Sequence, residues 1–223
     1  MNTKLIGQAL LRFFIGLVIM AVIVFLPAGG FFFINGWVLT GLLFVPATLI
    51  SIVLFTDDPD SLWNLIGTGN KKPIDKKGLI ICCSVLVVVA VLSGLSYRLK
   101  VLQIGTGGSV VGAILFLAGY GLLLEALRER NWIIREGCEV EDLNILDTGV
   151  HGFIRHPMYA AVILIFLGVP LLLGSLMGFF AALACPVLVV IRIITWEKVL
   201  EEGLPGFKEY EDIIKFRLIP FVW

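Results

Sequence analysis

Long stretches of apolar residues, separated by shorter polar segments, are the feature that most restricts how this chain can fold. A helix needs roughly 20 mainly apolar residues to cross the hydrocarbon layer of a bilayer. Stretches of about that length lie at residues 9–27, 35–55, 79–97, 109–127, 158–173 and 176–196. The sequence therefore predicts an all-α fold, a polytopic membrane helical bundle of about six spans.

The composition supports this prediction and excludes several other classes of protein. The 223 residues are 59% hydrophobic and 15% charged, with zero net charge, whereas a soluble domain is about 45–50% apolar and about 25% charged. The chain is too apolar for a disordered protein and lacks the basic surface of a nucleic-acid-binding protein. Its four cysteines form no Cys-x-x-Cys pair, so no metal site and no disulfide scaffold are predicted.

The distribution of charge predicts the orientation of the spans. If the amino terminus lies inside, only Arg98 and Lys100 of the 17 Lys and Arg residues face outside, which agrees with the positive-inside rule. Every Asp and Glu then lies at the inner face as well. We therefore expect both termini to be cytoplasmic and any active site to face the cytoplasm.

The last apolar run, from Met158 to Trp196, is too long for one helix. Gly168-Val-Pro170 and Gly174-Ser175 interrupt it, and this pattern predicts a helical hairpin. After the hairpin, the tail 198–223 mixes charged and apolar residues, as is typical of an amphipathic helix lying at the membrane interface. Such a helix would either cover a site or serve as an anchor.

The segment from Asp147 to Tyr159 carries the residues most suited to chemistry. Pro157 is well placed for the first turn of a helix, and Arg155 and His156 precede it directly, so a helix amino terminus and a cation favour an anion site. Alternatively, Arg155 extends to lipid headgroups and His156 only caps the helix. Because both hairpin arms have similar lengths at 1.5 Å per residue, Glu197 and Arg192 are expected near His156 and Tyr159.

These residues resemble the isoprenylcysteine carboxyl methyltransferase family and its bacterial relatives. The resemblance rests on Thr148-Gly149-Val-His151, Arg155-His156-Pro157-Met158-Tyr159, Arg192, Glu197, Leu204-Pro-Gly-Phe207 and Arg217-Leu-Ile-Pro220. It covers roughly residues 109–223, whereas residues 1–100 are similar in hydropathy alone. We accordingly divide the chain into membrane helices in 1–108 and a cofactor-binding and catalytic region in 109–223, forming one integrated domain.

The resemblance implies an integral membrane enzyme, of bacterial or archaeal inner-membrane type, that uses S-adenosylmethionine to methylate a lipid-like or prenyl-cysteine-type acceptor on its carboxyl group. The acceptor would enter from the bilayer at the cytoplasmic face. Arg192 is implied as the substrate-binding residue, and Arg192, Glu197 and His156 as catalytic residues. The implied cofactor-binding residues are Ile145, Leu146, His151, His156, Pro157, Met158, Tyr159 and Glu197.

The chain departs from the family at two positions. Trp196 replaces the first of two paired glutamates, and His151 replaces a tyrosine after the glycine turn. Three alternatives therefore stay open beside carboxyl methylation. They are methylation of a phospholipid amine or a small thiol, reduction by an NADPH-dependent membrane enzyme, and a catalytically inactive membrane relative.

Overall fold

The computed structural model describes residues 3–57, 76–135, 149–203, 211–219 and 222–223. Regular structure within these ranges is helical, apart from an isolated bridge between Gln103 and Ser175. The helices are α1 (Thr3–Ala28), α2 (Ile34–Asp57), α3 (Lys76–Leu99), α4 (Thr106–Arg135), α5 (Pro157–Leu172), α6 (Leu176–Ala182) and α7 (Ala184–Gly203). The predicted all-α fold is confirmed for these residues.

Some of the predicted spans are long and apolar enough to cross a membrane. Four segments of the described chain are long and apolar enough to cross a bilayer: Leu11–Ala28, Ile80–Leu99, Thr106–Ala126 and Leu176–Lys198. The helical segments Ile34–Thr48 and Pro157–Leu172 are apolar but shorter. These segments support an integral membrane protein with four candidate spans, and the predicted count of six is not confirmed.

The predicted hairpin begins where the sequence placed it but differs in its second arm. Helix α5 starts at Pro157, and Gly174 adopts a left-handed φ of +76° in the turn after this helix. The Ser175 hydroxyl then accepts the Gly178 amide at 3.0 Å, which caps α6. The prediction of a single helix over 176–196 is wrong, because a turn at Leu183 separates α6 from α7. Pro186 accounts for the break because it lacks an amide hydrogen and clashes with the preceding turn.

Two compact units make up the chain. Unit 1 comprises Met1–Val110 and Val169–Ala181. In this unit α1 packs against α3 at Gly94, where an added Cβ would lie 2.9 Å from the backbone nitrogen of Ala28. Small residues allow helix backbones to approach this closely.

Unit 2 comprises Val111–Gly168 and Ala182–Trp223. Here α4 and α5 meet at two glycines. A Cβ on Gly168 would lie 2.6 Å from the Phe116 nitrogen, and one on Gly119 would lie 2.9 Å from the Ala161 oxygen. This close packing holds α5, whose first residue adjoins the candidate site described below. The prediction of one integrated domain over 109–223 stays a prediction.

The predicted amphipathic helix over the tail is not confirmed. Residues 211–213 form a helical turn, but residues 214–219 are not helical, and residues 204–210 and 220–221 lie outside the described part of the chain. The carbonyls of Phe216 and Arg217 accept hydrogen bonds from the amides of Arg155 and His156. The tail departs from the expected helix because these carbonyls bond to another segment instead of to a following turn.

Candidate active site

A tight turn leads the chain to the start of α5. Gly149 has a φ of +58°, a left-handed conformation that glycine adopts without steric penalty. The Val150 carbonyl then accepts the amides of Phe153 at 3.2 Å and Ile154 at 3.3 Å. Ile154 is buried, so the turn is fixed to the protein interior immediately before Arg155.

His156 is the capping residue of α5. Its carbonyl accepts the amides of Tyr159 at 3.1 Å and Ala160 at 3.2 Å, so the first helical residue is Pro157. Pro157 is fully buried, and its missing amide hydrogen leaves nothing unpaired at this position. The helix start predicted from the sequence is therefore confirmed, with His156 at the positive end of the helix dipole.

Glu197, in α7, is the centre of a charge cluster. The residue is 3% exposed. Its Oε1 atom accepts a hydrogen bond from Arg155 Nη1 at 3.0 Å and lies 3.1 Å from His156 Nε2. Its Oε2 atom accepts a hydrogen bond from Arg217 Nε at 2.6 Å. A buried carboxylate requires such partners because it has lost its hydration.

Arg155 extends the cluster to the tail. Its Nη1 atom also donates to Glu211 Oε1, and its Nη2 atom lies 3.5 Å from the Lys215 carbonyl. The side chain is 7% exposed, yet its buried Nε atom has no hydrogen-bond partner among the described residues. We call the group of Arg155, His156, Glu197, Glu211 and Arg217 the Glu197 cluster. Its unsatisfied donor is the kind of group that a bound ligand would pair.

Main-chain hydrogen bonds reinforce the cluster. The amides of Arg155 and His156 donate to the carbonyls of Phe216 at 2.8 Å and Arg217 at 3.0 Å. The Arg217 guanidinium also lies over the Trp223 ring, 5.3 Å from its centroid. Three segments far apart in sequence thus meet at one point, namely the start of α5, the end of α7 and the tail.

The electrostatics of the cluster favour a neutral imidazole. Burial lowers the pKa of His156 from its ordinary value of 6.5, and this effect exceeds the opposing influence of the Glu197 carboxylate. At neutral pH the ring is therefore uncharged. If its Nε2–H donates to Glu197, the lone pair resides on Nδ1, and the ring can accept a proton there.

Residues 108–202 match the phospholipid methyltransferase family. This is the segment in which the sequence resembles a family of membrane methyltransferases, and that recognition is confirmed over the matched residues. The match supports a membrane methyltransferase. Neither a curated protein nor a solved structure matches the chain.

The matched segment, residues 108–202, contains Arg155, His156 and Glu197 and ends before Glu211 and Arg217. Part of the cluster therefore comes from a tail outside the matched residues. Sequence reasoning considered Arg155 for an anion site, but it assigned no role to Glu211 or Arg217. The ion pairs Arg155–Glu211 and Arg217–Glu197 join residues far apart in the sequence. Such pairs leave no spacing pattern and can be recognised only in the folded chain.

Most of the predicted site residues can be placed in the matched segment. The expected proximity of Glu197 to His156 is confirmed, and the Tyr159 ring centroid lies 5.7 Å from that of His156. Met158 is half-buried, as is His151 in the preceding turn. Ile145 and Leu146 lie outside the described residues. The cofactor-binding roles given to these residues stay predictions.

Arg192 and Trp196 form a pair on α7. The Arg192 guanidinium lies 5.4 Å from the centroid of the Trp196 ring, one helical turn further along the chain. Trp196 is 43% exposed. The tryptophan gives the arginine a cation–π partner.

No group of three or more His, Cys, Asp or Glu residues suited to a metal ion occurs in the described ranges. The described residues of the site supply three groups suited to chemistry. These are a neutral imidazole, a buried carboxylate with cationic partners, and a buried guanidinium with one unpaired donor.

Proposed function

We propose that this chain is an integral membrane, S-adenosylmethionine-dependent methyltransferase that acts at the cytoplasmic face on a lipid-like acceptor. The Glu197 cluster is the observation that carries the proposal. It lies at the start of α5, inside and beside the segment that matches phospholipid methyltransferases. The cluster holds charges of both signs at one helix amino terminus.

The residues of the cluster fit the proposed cofactor. S-adenosylmethionine carries a carboxylate and an ammonium on its amino-acid end. Arg155 has an unpaired buried Nε donor suited to a carboxylate, and Glu197 is a buried acceptor suited to an ammonium. Arg155 and Glu197 would hold this end of the cofactor, while His156, Pro157, Met158 and Tyr159 would line it.

When bound, the cofactor supplies a methyl group on a sulfonium, ready for in-line transfer without a metal. The chain must then orient the acceptor and exclude water from the reacting atoms. Arg192, held over Trp196, would orient an anionic acceptor. The apolar helices would admit the acceptor from the bilayer.

The first candidate acceptor is a prenyl-cysteine carboxylate, as the sequence resemblance implies. A carboxylate is already a nucleophile at neutral pH and needs no general base. Arg192 would pair with it, because a guanidinium binds a carboxylate through two parallel hydrogen bonds. This acceptor requires no proton transfer from the Glu197 cluster.

A phospholipid amine is the second candidate, and the state of His156 favours it. An amine must lose a proton before or during methyl transfer, and burial keeps the His156 ring neutral by lowering its pKa. A neutral imidazole is a suitable general base near physiological pH. The description of the matched family also names phospholipids.

Cofactor binding tests the proposal directly. The detergent-purified protein is titrated by calorimetry with S-adenosylhomocysteine and, separately, with NADPH. We expect the first to bind, the second not to bind, and His156→Ala to weaken binding of the first. Arg128→Gln is the matched control, because Arg128 is 81% exposed and pairs weakly with Glu125 on its own helix. Binding of NADPH alone would establish a reductase, and binding of neither would indicate an inactive relative.

Acceptor choice is tested by transfer of a tritiated methyl group. The labelled cofactor is mixed with an S-prenylated cysteine, with phosphatidylethanolamine in micelles, or with a small thiol. Arg192→Ala should reduce methylation of the prenylated cysteine, whereas His156→Gln should reduce methylation of the amine more strongly. Unchanged turnover of the true acceptor in Arg192→Ala would remove that residue from the proposal.

A further inference from the structure

Unit 1 contains a cavity of about 320 Å³, far in sequence from the Glu197 cluster. It lies where the end of α1 meets the end of α3 and the loop that follows. The residues that line it are Ala28, Gly29, Tyr97, Arg98, Lys100 and Gln103. All of them precede the matched segment 108–202, so the cavity uses none of the residues on which the proposed function rests.

The cavity is positively charged. Arg98 and Lys100 are both exposed, and no carboxylate is among the described residues that line the cavity. The sequence contains no Asp or Glu in 1–56 or in 76–124. The counterion of the two cations must therefore come from outside these segments.

Lys100 occupies a backbone position that normally belongs to glycine. Its φ is +55°, and it directly follows α3, where helices commonly end in a left-handed glycine. Its amide bonds to the Tyr97 carbonyl at 3.4 Å, and that of Val101 bonds to the Ser96 carbonyl at 3.1 Å. A lysine here is strained relative to glycine, and such strain is concentrated at functional sites.

The carbonyls at the end of α3 are already paired. Gln103 Nε2 lies 3.4 Å from the Ser96 oxygen and 3.3 Å from the Tyr97 oxygen. These contacts reduce the competition of the helix carboxyl end for the neighbouring cations. Arg98 is seated across Gly29, where an added Cβ would lie 3.2 Å from Arg98 Cδ. The stem of Arg98 therefore packs against Gly29, and the left-handed backbone at Lys100 fixes where that side chain leaves the chain.

Exposed apolar side chains lie next to the lining residues in the sequence. Phe32 is 92% exposed, Leu99 61% and Leu102 50%. The candidate spans of α1 and α3 end at Ala28 and Leu99, which places the cavity at the level where headgroups meet acyl chains. Aromatic and basic residues are enriched at this depth of a membrane protein.

We propose that this cavity binds the headgroup of an anionic phospholipid. The phosphate pairs with Arg98 and Lys100, and the acyl chains lie along the exposed apolar residues. Inorganic phosphate could form the same ion pairs with Arg98 and Lys100. It has no acyl chains, however, and would make no contact with the exposed apolar residues. The structure therefore favours a lipid as the source of the phosphate.

Native mass spectrometry of the full-length, detergent-purified protein tests the proposal. Dioleoylphosphatidylglycerol and dioleoylphosphatidylcholine are titrated separately, and inorganic phosphate is then added as a competitor. We expect one molecule of the anionic phosphatidylglycerol to bind per chain, with higher affinity than the zwitterionic phosphatidylcholine. Removing either cation, in Arg98→Gln or Lys100→Gly, should weaken its binding by about fivefold.

Lys100→Gly separates binding from folding. Glycine relieves the left-handed strain at this position, so the Tm should stay level or rise while lipid affinity falls. The matched control is Leu102→Gly, because Leu102 also has a left-handed φ, +51°, and carries no charge. This control should relieve strain in the same way and keep the preference for the anionic over the zwitterionic lipid, because it removes an apolar contact that both lipids share and no charge.

Three results would overturn the proposal. The first is equal binding of the two lipids, and the second is unchanged affinity in the double variant Arg98→Gln/Lys100→Gln. The third is displacement of the bound lipid by millimolar inorganic phosphate, which would make the cavity a site for the free ion.

Discussion

The Nε atom of Arg217 donates a 2.6 Å hydrogen bond to Oε2 of Glu197, a residue that is 3% exposed. The other carboxylate oxygen, Oε1, contacts Arg155 and His156. The tail therefore completes the coordination of a carboxylate that belongs to α7. Stability and ligand binding should both depend on the tail for this reason.

Replacement of Arg217 by Met should lower stability by about 1–3 kcal/mol, the range for a hydrogen bond to a charged group. The loss is moderated by the partial exposure of the arginine, 33%, and by the partners that Glu197 retains. Thermal unfolding in detergent measures the change. Arg128→Gln removes a far more exposed charge and should shift stability by less than about 1 kcal/mol. Equal shifts in the two variants would show that the tail contact adds nothing.

Glu197→Gln should be more damaging than Arg217→Met, at up to about 3–5 kcal/mol, because it removes the carboxylate that Arg155 and Arg217 share and leaves Arg155 with Glu211 as its described countercharge. Arg155 is the most buried of these cations, at 7% exposed. The double variant Glu197→Gln/Arg155→Met should therefore regain part of the lost stability. A double-mutant cycle on unfolding free energies measures this coupling. Strict additivity of the two single changes would contradict the described contact.

Stability should fall on the acid side of neutrality through His156. Burial lowers its pKa below 6.5, so the unfolded chain binds the proton more readily than the folded chain does. The contribution of neutral His156 to the free energy of unfolding is fully present above the pKa of this residue in the unfolded chain, 6.5. It is lost as the pH falls through 6.5 toward the lower pKa of the folded chain. Unfolding midpoints measured across this range should show the loss in the wild type and a smaller loss in His156→Gln.

The control for this pH dependence is His151→Gln, since the sequence has 2 histidines and His151 lies in the turn before the cluster. This variant should keep the acid-side loss. If His151→Gln removed the loss and His156→Gln did not, the assignment to His156 would be wrong.

Gly168→Ala should destabilise the packing of α4 against α5 by about 1–3 kcal/mol. The new Cβ would lie 2.6 Å from the Phe116 backbone nitrogen, which cannot move as a flexible side chain does. Gly121→Ala is the matched control on α4, because nothing lies within 4 Å of its added Cβ. Thermal unfolding should show a loss for the first change and a neutral or stabilising effect for the second.

Trp196→Ala should raise the KM for an anionic acceptor by about two- to fivefold, because Arg192 loses its cation–π partner. Trp196→Phe keeps an aromatic ring and should retain most of the wild-type value. The affinity for S-adenosylhomocysteine should be similar in both variants. A parallel loss of cofactor affinity would place Trp196 in the cofactor site instead.

The local features of this structure could be predicted from the sequence. Apolar stretches of spanning length indicated the helices, and Pro157 marked the first residue of α5, because a proline in the first turn of a helix leaves no amide hydrogen unpaired. The similar lengths of the hairpin arms also predicted that Glu197 would come close to His156, and the two side chains are in contact.

The features set by long-range pairing could not be predicted. The amphipathic pattern of the tail indicated a helix, whereas Phe216 and Arg217 pair their carbonyls with another segment. Arg217 belonged to a motif of the resemblance, but the salt bridges of Glu211 with Arg155 and of Arg217 with Glu197 could not be predicted, because a salt bridge across such a separation has no periodicity. The helix break at Leu183 had a local cause in Pro186, but the uniformly apolar run concealed it.

The pairing of residues 155–156 with residues 216–217 also constrains how this protein is made. Arg155 leaves the ribosome well before its tail partners, since the contact between Arg155 and Lys215 spans 60 residues. During that interval the charged ends of α5 and α7 lack their tail partners and still rely on water. Neutralisation of Glu197 by Arg217 is consequently a late event in biogenesis, and a nascent chain stalled before the tail would have an incomplete charge cluster.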